Sequence, residues 1–129
     1  MEKNEVIKDW VSRANSAYKY AIVLTDDEVY YEDKCFQAQQ AAEKAIKALL
    51  IFYDVNPEHT HDISKLLNVL ANYTELDDCL NELNLLTKYA VITRYTNSQF
   101  VVTEEMYLEA IELAKNCLEW VKNKIDNTN

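Results

Sequence analysis

Apolar residues recur at intervals of three and four from the start of the chain. Ile7, Trp10, Ala14, Ala17, Ala21 and Leu24 fall on one line of a helical surface, while Lys8, Asp9, Arg13 and Lys19 fall off it. This spacing predicts a helix over 3–24. Thr25 stands three residues before Glu28, the arrangement of a capping box, and predicts a second helix over about 28–54. The middle of that helix, Cys35 to Leu50, consists almost wholly of strong helix formers. Alanines at 38, 41, 42, 45 and 48 make one side narrow enough for other helices to approach closely, which places it at the centre of a bundle. Val55-Asn56-Pro57 must end it, because proline disfavours the α region for its predecessor and Asn tolerates the left-handed conformation.

Further along, Thr60 is the expected N-cap of a short helix over 61–71, with Asp62 in its first turn and Asn72 as its terminator. Thr74, with Asp77 at the box position, predicts a fourth helix that turns Leu76, Leu80, Leu83, Leu86 and Ala90 inward and ends near Ile92. Residues 93–102 are the least regular stretch. Thr103 caps the last helix, whose expected buried side is Met106, Ala110, Leu113, Cys117, Trp120 and Ile125. Short connections favour antiparallel neighbours, so the expected fold is all-α, an antiparallel up-and-down bundle of about five helices in one domain, 1–129.

Composition sharpens this. Glycine is absent and proline occurs once in 129 residues, which disfavours turn-rich β folds and excludes a glycine-rich phosphate loop of the Walker or Rossmann kind. The formal net charge of -9 disfavours sequence-independent nucleic-acid binding by the molecule as a whole, though not by a local basic patch. No apolar run approaches the roughly 20 residues of a membrane helix, and the charged start of the chain has no signal-peptide core. Cys35, Cys79 and Cys117 lack metal-ligand spacing and fall on apolar stripes, as expected of buried thiols in a reduced cytoplasm.

Three groups carry candidate chemistry. His59-Thr60-His61-Asp62 holds metal-ligand types, but no further ligand is nominated, so capping and hydrogen bonding are the expected roles and no metal or cofactor is expected. Arg13 and Arg94 are the only arginines, and Arg94, followed by Tyr95, suits either a bidentate phosphate contact or a helix-end charge. Gln37, Gln40, Lys44 and Lys47 form a polar stripe that reads as a solvated face or a phosphate-binding one. Nine tyrosines, many beside apolar stripes, favour self-association. No Ser-His-Asp or Cys-His nucleophile pattern emerges.

Residues 31–50, with the core Phe36-Gln37-Ala38-Gln39-Gln40-Ala41-Ala42-Glu43-Lys44-Ala45-Ile46-Lys47-Ala48-Leu49, resemble the second helix of HEPN domains. His59-Thr60-His61-Asp62-Ile63 followed by Leu66 is similar to that family's histidine-containing approach to the third helix, and Thr93-Arg94-Tyr95 to its Arg-Tyr segment. Trp10 with Ala14, and Ala110 with Ala114 and Trp120, fit its first and last helices. The resemblance implies a helical homodimer, often paired with a minimal nucleotidyltransferase in toxin–antitoxin modules, and proposed nucleotide binding. One branch consists of metal-independent ribonucleases that use an Arg followed about four to six residues later by a His, the two stabilising phosphate charge and moving protons.

The chain departs from the ribonuclease pattern. Arg94 is followed by Tyr95-Thr96-Asn97-Ser98-Gln99-Phe100, and no histidine lies downstream. The expectation is therefore a cytoplasmic, non-catalytic binding module that forms a homodimer, partners a nucleotidyltransferase and holds a nucleotide or RNA. Its expected contacts are Arg94, Tyr95, His59, His61, Asp62, Gln40, Lys44 and Lys47. The alternatives are a ribonuclease with a displaced histidine and a purely structural homodimer.

Overall fold

The computed structural model describes residues 2–23, 28–57, 59–92 and 101–127. Five α-helices and two short 3-10 segments lie in this part of the chain, and no strand. Helix α1 spans Lys3–Ile22 and α2 spans Tyr31–Phe52. The short α3 spans Ile63–Leu70 and α4 Tyr89–Ile92, with 3-10 turns at Asp78–Leu80 and Leu83–Leu86 between them. Helix α5 runs over Glu104–Asn127.

Helix α2 is the centre of the bundle, as its alanines predict. Ala38, Ala41, Ala42, Ala45 and Ala48 are all fully buried, and α1, α3, α4 and α5 all pack against this one helix. Small side chains let backbones come close, so the Cys117 thiol of α5 reaches the Ala42 carbonyl at 4.0 Å. Contacts at the helix ends fix the directions. Lys3 Nζ at the start of α1 lies 2.9 Å from Asp54 just past α2, and the Tyr107 hydroxyl near the start of α5 donates to the Ala21 carbonyl at 2.6 Å. Helix α1 is thus antiparallel to both. The Tyr31 and Tyr107 rings stack 5.1 Å apart, so α2 and α5 start together and run in the same sense.

Several boundaries differ from the sequence expectation. Thr25 lies outside the described residues, and Glu28 precedes α2, which starts at Tyr31 with no side-chain cap. At the other end of α2, Asp54 rather than Asn56 takes the left-handed conformation, with φ 64°. The Val55 amide donates to Leu50 and the Asp54 amide to Ile51, both at 2.9 Å, which closes a Schellman motif one turn before the proline. Asp62, not Thr60, caps α3: its Oδ1 accepts from Ser64 at 3.0 Å and Lys65 at 3.4 Å, while Thr60 Oγ1 accepts from the Asp62 amide at 3.0 Å. Helix α3 ends at Leu70, before Asn72.

The expected fourth helix is broken. Asp77, not Thr74, caps what forms there, a 3-10 turn over Asp78–Leu80: its Oδ1 accepts from the Cys79 amide at 2.8 Å. Leu80, Leu83 and Leu86 recur every third residue, the period of a 3-10 helix, and all three are buried. Helix α5 begins as expected, with Thr103 Oγ1 accepting from the Met106 amide at 3.2 Å.

Candidate functional site

Gln39, Glu43 and Lys47 occupy successive turns of α2, four residues apart and therefore in one row. The row faces inward: Gln39 is fully buried, and Glu43 and Lys47 are only 4% and 7% exposed. A buried carboxylate needs partners, and Glu43 has three. Gln39 Nε2 donates to Oε1 at 2.9 Å, Lys47 Nζ donates to Oε2 at 3.1 Å, and His61 Nδ1 meets Oε1 at 2.8 Å. Gln39 is itself tied down, since its Oε1 accepts from Gln40 Nε2 at 2.8 Å and its Nε2 also reaches the His61 carbonyl at 3.4 Å. Lys47 Nζ lies 5.9 Å from the centre of the Trp10 ring, within cation–π range.

Burial alone would push the Glu43 carboxyl upward. The hydrogen bonds from Gln39, His61 and Lys47, with the Lys47 charge, outweigh it and hold Glu43 below its ordinary value. Glu43 is therefore an ionised acceptor, which makes His61 Nδ1 the donor of the bond between them. The imidazole is fixed at one nitrogen and turned outward, with 54% of its side chain exposed. Its Nε2 then carries a free lone pair when the ring is neutral and a donor N–H when it is protonated.

The strand of chain that presents His61 is pinned. Besides the Asp62 cap, the Ile63 amide donates to Thr87 Oγ1 at 3.2 Å, linking α3 to the segment before α4. The site thus has a rigid support on two sides.

Of the residues expected from sequence, Gln40, Lys47, His61 and Asp62 meet in or beside this cluster, with Asp62 acting as a cap. His59 is exposed and two residues away, with no bond to it, and Lys44 is half-buried outside it. Lys47 leaves the expected stripe of Gln37, Gln40 and Lys44 for the buried row. Arg94 and Tyr95 lie outside the described residues. Glu43 and Gln39 were not singled out by sequence reasoning, although a Gln-Glu-Lys series at four-residue spacing within an alanine-rich helix is the pattern that marks them. No group of three His, Cys, Asp or Glu side chains stands close enough to hold a metal among the described residues. Burial pushes the thiols of Cys35 up to about 12 and Cys79 up to about 11, and that of Cys117 up also, so each is neutral near pH 7 and a poor nucleophile. No helix among the described residues is long and apolar enough to cross a membrane.

Residues 7–124 match the HEPN domain. Two solved structures are similar over nearly their whole length. TT1696 from Thermus thermophilus is 30% identical, with a TM-score of 0.78, 92% of this chain and 97% of that one being covered. ST0689, described as an archaeal HEPN homologue, is also 30% identical, with a TM-score of 0.71 and the same coverage. No curated protein matches the chain.

Proposed function

The chain belongs to the HEPN domain family, and on that premise we propose that it is a non-catalytic binding module for a nucleotide or RNA end. It works as a homodimer in the reduced cytoplasm and partners a minimal nucleotidyltransferase in a toxin–antitoxin-like pair. The observation that carries the binding reading is the half-exposed His61 ring locked by buried Glu43, because a fixed imidazole loses little freedom when Nε2 meets a ligand oxygen. Arg94 and Tyr95 enter this reading by resemblance of sequence, as the phosphate contact that a guanidinium suits. A net charge of -9 fits a contact to one phosphate better than to a long backbone.

The lack of a histidine after Arg94 supports the non-catalytic side. The Glu43–His61 pair favours one rival, a metal-independent ribonuclease in which His61 replaces the missing proton-transfer group. Titration of adenosine monophosphate, a short RNA and the candidate nucleotidyltransferase separates them, using wild type, His61→Ala and Arg94→Lys. The module reading expects intact RNA and weaker binding by both variants. RNA cleavage lost in His61→Ala would establish the ribonuclease, and equal affinities throughout would leave a structural homodimer. Light scattering at micromolar concentration should give a dimer mass.

A further inference from the structure

Helices α1 and α5 both lie closely along α2 but touch each other sparsely. The Tyr107–Ala21 hydrogen bond pins them at one end. Toward the opposite end they part, and a groove of about 560 Å³ opens between the first half of α1 and the last turns of α5. This volume is typical of small-molecule sites, which span about 300–1,000 Å³. Its apolar surface comes from Ile7 and Val11 of α1, Phe52 at the end of α2, and Ile125 of α5. Lys3, paired with Asp54 and 5.8 Å from the Phe52 ring centre, stands at the Phe52 end.

The polar rim is asymmetric in charge. Lys8 comes from α1 and Lys122 from α5, so each wall contributes one cation, and Asp126 contributes the one carboxylate among the lining residues. Among the described residues neither lysine makes an ion pair, although the chain has 22 acidic residues against 13 basic ones. An apolar floor under two unpaired ammonium groups is complementary to an apolar body with an anionic head. Asp126 on the same rim repels a second negative charge, which disfavours phosphate dianions and nucleotides here.

We propose that this groove binds a small amphipathic monoanion: an aliphatic or aromatic monocarboxylate whose body lies on Ile7, Val11 and Phe52 and whose head sits between Lys8 and Lys122. The groove shares no residue with the His61 cluster, so the proposal stands independently of the nucleotide reading.

Octanoate, with octanamide as its neutral counterpart, tests it by calorimetry and by amide chemical shifts on the whole chain. Wild type should bind octanoate at one saturable site, with shifts confined to residues of the groove, and bind octanamide more weakly. Lys8→Met with Lys122→Met should weaken octanoate about fivefold, the scale of two exposed charge contacts, and leave octanamide unchanged. Val11→Trp and, separately, Asn15→Trp should fill the groove and abolish both, with helix content by circular dichroism reporting that each variant is folded. Non-saturable binding, or octanoate affinity untouched in a folded Trp variant, would overturn the proposal. So would conversion of a dimer to a monomer by Val11→Trp, which would make the groove a contact between two copies.

Discussion

A carboxylate only 4% exposed has lost nearly all its water, and Glu43 remains charged because three donors replace that water. The consequence is a site in which removing one partner costs more than removing the pair. Glu43→Gln leaves Lys47, itself 7% exposed, without a counter-charge, and should lower stability by about 3 kcal/mol in chemical denaturation. Glu43→Leu combined with Lys47→Met should recover most of that loss, since a buried pair and an apolar replacement are often equivalent. The same balance sets a pH dependence. Glu43 titrates below its ordinary value of 4.5 when folded, so the unfolded chain binds its proton first on acidification. Its stabilising contribution is complete above that value and is lost as pH falls through it toward the native one. Unfolding curves should therefore show wild type losing more stability on acidification than Glu43→Leu/Lys47→Met.

At the scale of elements, a chain without glycine must find other residues for left-handed positions, and Asp54 takes the one at the end of α2. A β-branched side chain is poorly tolerated there, so Asp54→Val should destabilise by about 1–2 kcal/mol. Asp54→Gly should be neutral or stabilising, because relief of Cβ crowding offsets an exposed ion pair with Lys3 worth about 0–1 kcal/mol. Thermal melts of the two variants check both directions. The sequence made the long helices legible because α1, α2 and α5 each repeat apolar residues on one stripe over five or more turns. It misled over 74–92, where Leu80, Leu83 and Leu86 fit helical and 3-10 periods alike, and the Asp77 cap opens a 3-10 turn there. His61, Asp62, Lys47 and Gln40 were legible as polar exceptions near apolar runs. Glu43 and Gln39 were not, because a charged or amide side chain on a helix reads as exposed until the neighbours that cover it are known.

At the scale of the whole molecule, α1, α3, α4 and α5 all pack on one alanine-lined helix among the described residues, and the candidate site is built on it. Ala42 is fully buried against α5, so Ala42→Asp would bury a charge with no partner and should abolish the cooperative melt. The same central helix carries Glu43, which links the rigidity of the core to the outward-facing His61 ring. In the proposed function this ring is a prepared ligand contact. The affinity of a short RNA and of adenosine monophosphate for wild type and His61→Ala, measured with melting curves that report an intact fold, tests that role. Loss of a hydrogen bond to a charged phosphate should weaken binding about tenfold or more, while the RNA stays uncut by either protein. Equal affinities for both ligands in a folded His61→Ala variant would show that the ring makes no ligand contact.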